Sequence, residues 1–169
     1  MQFRRKSRSA LTALALVVAP GVAVVGTATD AFAVTKISHV TATSMFRGAG
    51  ITWSSSGGCS DRNNPSCTSF EQLNLATAQG AQTLKQAIGC ALNITGGTET
   101  GHASGTYSHG NGYKLDYGKS TCVTTYIKNT FTYIGLRGDG APQYRSGSGN
   151  IYADEGNHWD VLYYNCGGC

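Results

Sequence analysis

The stretch Gly105–Tyr117, GTYSHGNGYKLDY, carries the alternation on which the reading of this chain turns. Tyr113, Leu115 and Tyr117 fall on one side of an extended segment, and Lys114 and Asp116 fall on the other. Such a strand buries an aromatic and aliphatic face and holds Asp116 away from it. The glycines ahead of it, Gly105, Gly110 and Gly112, mark a loop, and that loop brings His109 to within seven residues of Asp116.

Upstream, Ser69–Gly89 reads as the principal helix. Ser69 followed by Gln72 has the form of a capping box, and Leu73, Ala76, Gly80, Ala81, Leu84, Ala87 and Ile88 recur at helical spacing as a small-residue face. Cys90–Thr95 predicts a short buried strand, and GGTETGHASG after it a loop. Val34–Cys67, rich in Ser, Gly, Thr and Asn, predicts an irregular or short-stranded arm containing the alternating run GITWSS. Downstream, Val123, Ile127, Thr130, Phe131 and Ile134 predict a second helix over Ser120–Ile134 that stops at Gly135. NIYADEGNHWDVLYY predicts a hairpin about the turn DEGN, with Tyr152, Tyr163 and Tyr164 in its strands.

The N-terminal residues set the context. Arg4, Arg5, Lys6 and Arg8 precede an apolar run from Ala10 to Val25, and Ala31-Phe32-Ala33 follows it, which is the layout of a secretory signal peptide. The run is broken by Pro20 and falls short of the about 20 apolar residues of a bilayer span. The expectation is therefore cleavage after residue 33, leaving residues 34–169 as a single secreted domain of 169 − 33 = 136 residues with no membrane contact. Four of the 13 Lys and Arg and one of the nine Asp and Glu leave with the signal, so the remainder carries 9 − 8 = +1. No basic footprint for nucleic acid remains. The six cysteines, Cys59, Cys67, Cys90, Cys122, Cys166 and Cys169, predict a disulfide framework suited to an oxidising compartment. Six cysteines allow about fifteen pairings; proximity favours Cys59 with Cys67, Cys90 with Cys122, and Cys166 with Cys169, and a monomer is expected.

Four polar residues share one explanation: His109, Asp116, Glu155 and His158. Two imidazoles and a carboxylate complete the protein side of a catalytic zinc site and leave a position open for water. A glutamate beside that water can take its proton. His102 could serve as a substitute ligand or as a donor in the transition state, and Glu99 competes with Glu155 for the role of base.

The pattern His-x-x-Gly-x-x-x-Asp in SHGNGYKLD, followed by Glu-x-x-His in EGNHW, resembles the signature of the zinc D-Ala-D-Ala carboxypeptidase and endopeptidase family, relatives of lysostaphin-type peptidases and of the hedgehog domain. The resemblance covers about residues 69–164. It implies an α+β fold in which a small antiparallel sheet carries one zinc, with helices packed on the other face. It implies His109, Asp116 and His158 as ligands and Glu155 as the general base, acting on the peptide part of peptidoglycan outside a bacterial cell. Two departures stand out. The family's arginine before the first ligand has no counterpart in TGGTETGHASG, which leaves Arg137 or Arg145 to replace it, and Asp160 stands where an aromatic or histidine is usual. Asp160 could orient a histidine or face solvent, while Tyr107 and Trp159 are candidates for a substrate groove, with core packing the other reading of Trp159. The missing arginine also leaves room for a polysaccharide hydrolase or lyase on the same cleft, and for a zinc domain that only binds another extracellular polymer.

Overall fold

The computed structural model describes residues 34–164, which belong to one compact unit. The expected signal peptide and the Cys166–Cys169 pair lie outside the described residues. The order of elements is β1 (Lys36–Ile37), α1 (His39–Gly48), β2 (Thr52–Trp53), β3 (Leu73–Asn74), α2 (Leu75–Ile88), β4 (Asn93–Gly96), β5 (Lys114–Gly118), α3 (Thr121–Thr130), β6 (Thr132–Leu136), β7 (Pro142–Arg145), β8 (Ile151–Asp154) and β9 (His158–Leu162). The fold is thus α+β with three helices and a seven-stranded sheet, ordered β2-β4-β5-β9-β8-β7-β6, beside a two-stranded ribbon of β1 and β3. Every pair in the larger sheet is antiparallel except β2 with β4, so the sheet is mixed rather than wholly antiparallel.

The alternation in β5 does what period two requires. Leu115 and Tyr117 are buried in the core, where they meet Trp159, Val161 and Tyr163 from β9 and the strand end after it. Register pairs Asp116 with Asp160 and Tyr117 with Trp159, so the even-numbered residues of both strands share the opposite face. The helix α2 covers the core side with Ala81, Leu84 and Ile88, and Gly80 lets the Tyr163 ring lie directly against the helix backbone.

Several expectations need correction. The arm holds a helix, α1: Ala42 and Phe46, four apart, bury one stripe, and Ser38 caps the start by accepting the Thr41 N–H at 3.2 Å. The capping box at Ser69 does not form, because Gln72 adopts a left-handed conformation (φ 63°) and α2 begins after Asn74. The strand expected at Cys90–Thr95 is displaced to Asn93–Gly96. The second helix stops at Thr130, since Phe131 is already extended (φ −100°, ψ 152°) and the β-branched and aromatic run Thr132–Leu136 pairs as a strand with β7. Gly135 lies inside that strand at a register shift, not at a helix end.

The Cys59–Cys67 and Cys90–Cys122 disulfides form as expected, with Cα atoms 4.7 and 6.7 Å apart. The second ties the end of α2 to the first turn of α3. No helix among the described residues is long and apolar enough to cross a membrane.

Candidate metal centre

An open cleft of about 580 Å³ lies on the even-numbered face of β5 and β9. Its lining includes His102, His109, Asp116, Arg137, Glu155 and His158, so the two ends of the expected motif meet in one place. The buried Asp116 carboxylate is the focus. His109 Nε2 lies 3.3 Å and His158 Nε2 3.6 Å from its Oδ1, and His102 Nδ1 lies 3.9 Å from its Oδ2. Three of the chain's four histidines therefore converge on one aspartate.

Each histidine reaches the centre by a different local device. His109 starts a tight turn in which its carbonyl accepts the Gly112 N–H at 2.7 Å. Gly112 has φ 77°, and a Cβ there would stand 2.5 Å from the Gln72 carbonyl oxygen, which explains the glycine of the His-x-x-Gly pattern. Ser108, beside the first histidine, accepts the Asn111 N–H and steadies the same turn. His109 Nδ1 is 2.7 Å from the Gly97 carbonyl, so Nδ1 carries a proton and Nε2 is the nitrogen turned toward Asp116. His158 opens β9 just after the turn, with Nδ1 held by Asn157 at 2.6 Å. His102 lies in the loop ahead of β5, stacked on His109 with ring centroids 3.8 Å apart.

The electrostatics call for a cation. Burial alone would lower the pKa of His109, but the neighbouring Asp116 and Asp160 carboxylates outweigh it and raise the pKa to about 9. An imidazolium is thus favoured where two carboxylates face each other across paired strands. Asp116 Oδ1 and Asp160 Oδ1 are both buried without a hydrogen-bond partner, a defect that a metal ion would relieve. His102, His109 and Asp116 offer ligand atoms that all lie within 4.8 Å of one another and could hold a metal ion. His158 stands at the Oδ1 side of the same carboxylate, beyond that close group of ligand atoms.

The remaining candidates sort by geometry. Glu155 Oε2 lies 3.2 Å from His158 Nε2, and its other oxygen pairs with Arg137. Arg137, carried by the loop between β6 and β7, also donates to Asp160 at 2.8 Å, so it stands in the cleft that lacked an arginine in sequence, while Arg145 lies outside the cleft lining. Asp160 is not solvated: it is buried, accepts from Lys114 at 2.6 Å, and lies 3.5 Å from His109 Nε2. Glu99 is buried and accepts the Ser69 and Gly97 N–H groups at 2.7 and 3.0 Å. Burial opposes its ionisation, yet these bonds and His102 keep its pKa below the usual value. Glu99 is therefore fixed behind His102 rather than free to act as base.

Trp159 does not belong to a substrate groove. Being odd-numbered on β9, it points into the core, fully buried, with its indole N–H near Thr124 Oγ1 at 3.3 Å. Tyr107 is half exposed and packs edge-on with Tyr113 and Tyr164, away from the cleft lining. Sequence reading missed the brace behind this loop. Arg62, inside the Cys59–Cys67 ring, donates to the carbonyls of Thr98 and Gly110 and accepts the Thr100 N–H on its own carbonyl at 2.8 Å. A lone arginine in a polar arm gives no signal of such a role.

No protein-family profile, curated protein or solved structure matches this chain.

Proposed function

We propose that the protein is a secreted zinc peptidase that hydrolyses a peptide bond in the peptide part of peptidoglycan. The observation that carries this reading is the meeting of His109, Asp116 and His158 with Glu155 and Arg137 in one cleft. The donors fit zinc by their chemistry: imidazole nitrogens with one carboxylate, each ring held from behind by a hydrogen bond. His109, Asp116 and His158 would hold the ion. A bound zinc ion would supply Lewis-acid polarisation of the scissile carbonyl and an acidified water.

The chain's own groups account for the proton movements. Glu155 Oε2, directed toward the His158 edge of the centre, takes a proton from the attacking water and passes it to the departing amine. Arg137 donates to the oxygen on which negative charge develops, replacing the arginine absent from the segment before His109. Asp160, fixed by Lys114, anchors Arg137 from below. The disulfides and the expected signal peptide support an extracellular site of action.

Metal analysis of the purified protein, with release of amino groups from cell-wall peptide followed with and without chelator, tests the reading. About one zinc per chain and chelator-sensitive release are expected. Glu155→Gln should keep the metal and lose about 10²-fold or more in turnover. A metal-free protein that releases reducing or unsaturated sugar ends would replace the peptidase reading with polysaccharide cleavage.

A further inference from the structure

We infer that His102 is a fourth protein ligand, closing the coordination of the metal until substrate displaces it; the inference rests on the metal centre proposed above. Three arrangements point to it. His102 Nδ1 faces Asp116 Oδ2 at 3.9 Å, within the same close group of ligand atoms as His109. Its ring lies nearly parallel to that of His109, at 13° and 3.8 Å, so both imidazoles approach the carboxylate from one side. Its far nitrogen, Nε2, is 3.3 Å from Glu99 Oε1.

That last contact fixes the tautomer. The Glu99 carboxylate is held by the Ser69 and Gly97 N–H groups, so it accepts a hydrogen bond from His102 Nε2–H and leaves the Nδ1 lone pair directed at the centre. A carboxylate behind an imidazole is the usual support for a metal-bound histidine. A histidine placed only for stacking has no need of a buried, backbone-bound glutamate at its outer nitrogen.

The consequence follows from coordination number. His109, Asp116 and His158 leave zinc an open position, whereas His102 as a fourth protein ligand fills it, as in sites that do no chemistry. His102 is also the ligand best able to leave: its side chain is 26% exposed against 6% for His109, and His158, at 25%, is tied into β9. It sits between Gly101 and Gly105 on the wall of the cleft, with no strand ladder holding it. A substrate carbonyl entering the cleft would take the position that His102 vacates.

The test uses the full chain loaded with cobalt(II) or zinc, compared as wild type, His102→Ala, Glu99→Gln and His158→Ala. Metal affinity is read by competition with a chromophoric chelator, and access to the open position by titrating acetohydroxamate against the cobalt absorption bands. His102→Ala should weaken metal binding about 10–100-fold, with Glu99→Gln a smaller loss in the same direction. Acetohydroxamate should bind at least about tenfold tighter to His102→Ala than to wild type, because the competing ligand is gone (about 1.4 kcal/mol). Unchanged metal affinity, or unchanged acetohydroxamate affinity, in a folded His102→Ala protein overturns the inference while leaving the peptidase reading intact. Failure of the wild type to bind either metal, with His158→Ala no different, overturns the metal centre itself.

Discussion

The candidate centre has two halves that are held in different ways. Asp116, His158 and Asp160 stand on β5 and β9, where consecutive register pairs run from Lys114↔Leu162 to Gly118↔His158. Their direction is set by the pleat, and their spacing by the ladder. His102 and His109 stand on the loop between β4 and β5, which has no ladder. Its backbone groups are met one at a time: Thr98 by Ser69, Thr100 and Gly110 by Arg62, Gly112 by Asn74. A strand therefore places a ligand through local sequence, whereas this loop places one through residues 30 or more positions away, such as Ser69 behind Glu99 and Arg62 behind Gly110.

The strand half can be broken by one methyl group. A Cβ at Gly96, the β4 residue paired with Asp116, would stand 2.4 Å from Asp116 Oδ2 and 3.1 Å from its Cγ. The carboxylate has to move, so Gly96→Ala should cost about 1–3 kcal/mol of stability and lower metal affinity more than about tenfold. Gly118→Ala, whose Cβ would meet Thr95 Cγ2 at an ordinary 3.6 Å, is the control, expected within about 0.5 kcal/mol of wild type. Chemical denaturation and chelator competition read both quantities. Equal behaviour of the two variants would remove Asp116 from the centre.

The loop half should give more gradually. Arg62→Ala removes the donors to the Thr98 and Gly110 carbonyls without touching the cleft, whose lining does not include Arg62. A loss of about 1–2 kcal/mol is expected, with hydrogen exchange rising over residues 97–112 while β5 and β9 stay protected. Uniform exchange across both regions would mean that the halves open as one unit.

The same division explains what was legible in the sequence. Asp116 could be assigned to a face because Tyr113–Tyr117 alternates, and Glu155 and His158 because a DEGN turn separates two apolar runs. Trp159, for which both a groove and the core were open, lies in the core because it alternates with His158 and Asp160 on β9. His102 was recognisable only as a competitor for the ligand role, because nothing local reveals that Glu99 is buried behind it. Helix α1 was hidden by its Ser and Thr content, since one of its three buried residues, Thr43, is polar and only Ala42 and Phe46 are apolar. The end of α3 was hidden because Phe131 and Ile134 satisfy helical spacing as well as strand propensity, and pairing with β7 decides between them.

The smallest expected effect reaches the loop half from farthest away. His39, at the start of α1, accepts the Phe70 N–H on Nδ1 at 3.0 Å, donates its own backbone N–H to Glu71 at 2.9 Å, and stacks on the Phe70 ring. Burial lowers its pKa below the ordinary 6.5, with Glu71 acting to raise it and Arg47 to lower it. The unfolded chain therefore binds the proton first, and the stability contributed by neutral His39 is present above about pH 6.5 and lost as pH falls through its lower folded pKa. Protonation turns the acceptor of the Phe70 N–H into a donor, next to the Ser69 amide that holds Glu99. The informative quantity is the difference between wild type and His39→Gln in midpoint denaturant concentration from pH 7.5 to 5. Wild type should lose more stability than the variant over that interval, and exchange at residues 97–102 should rise with it; parallel curves would detach α1 from the support of the metal loop.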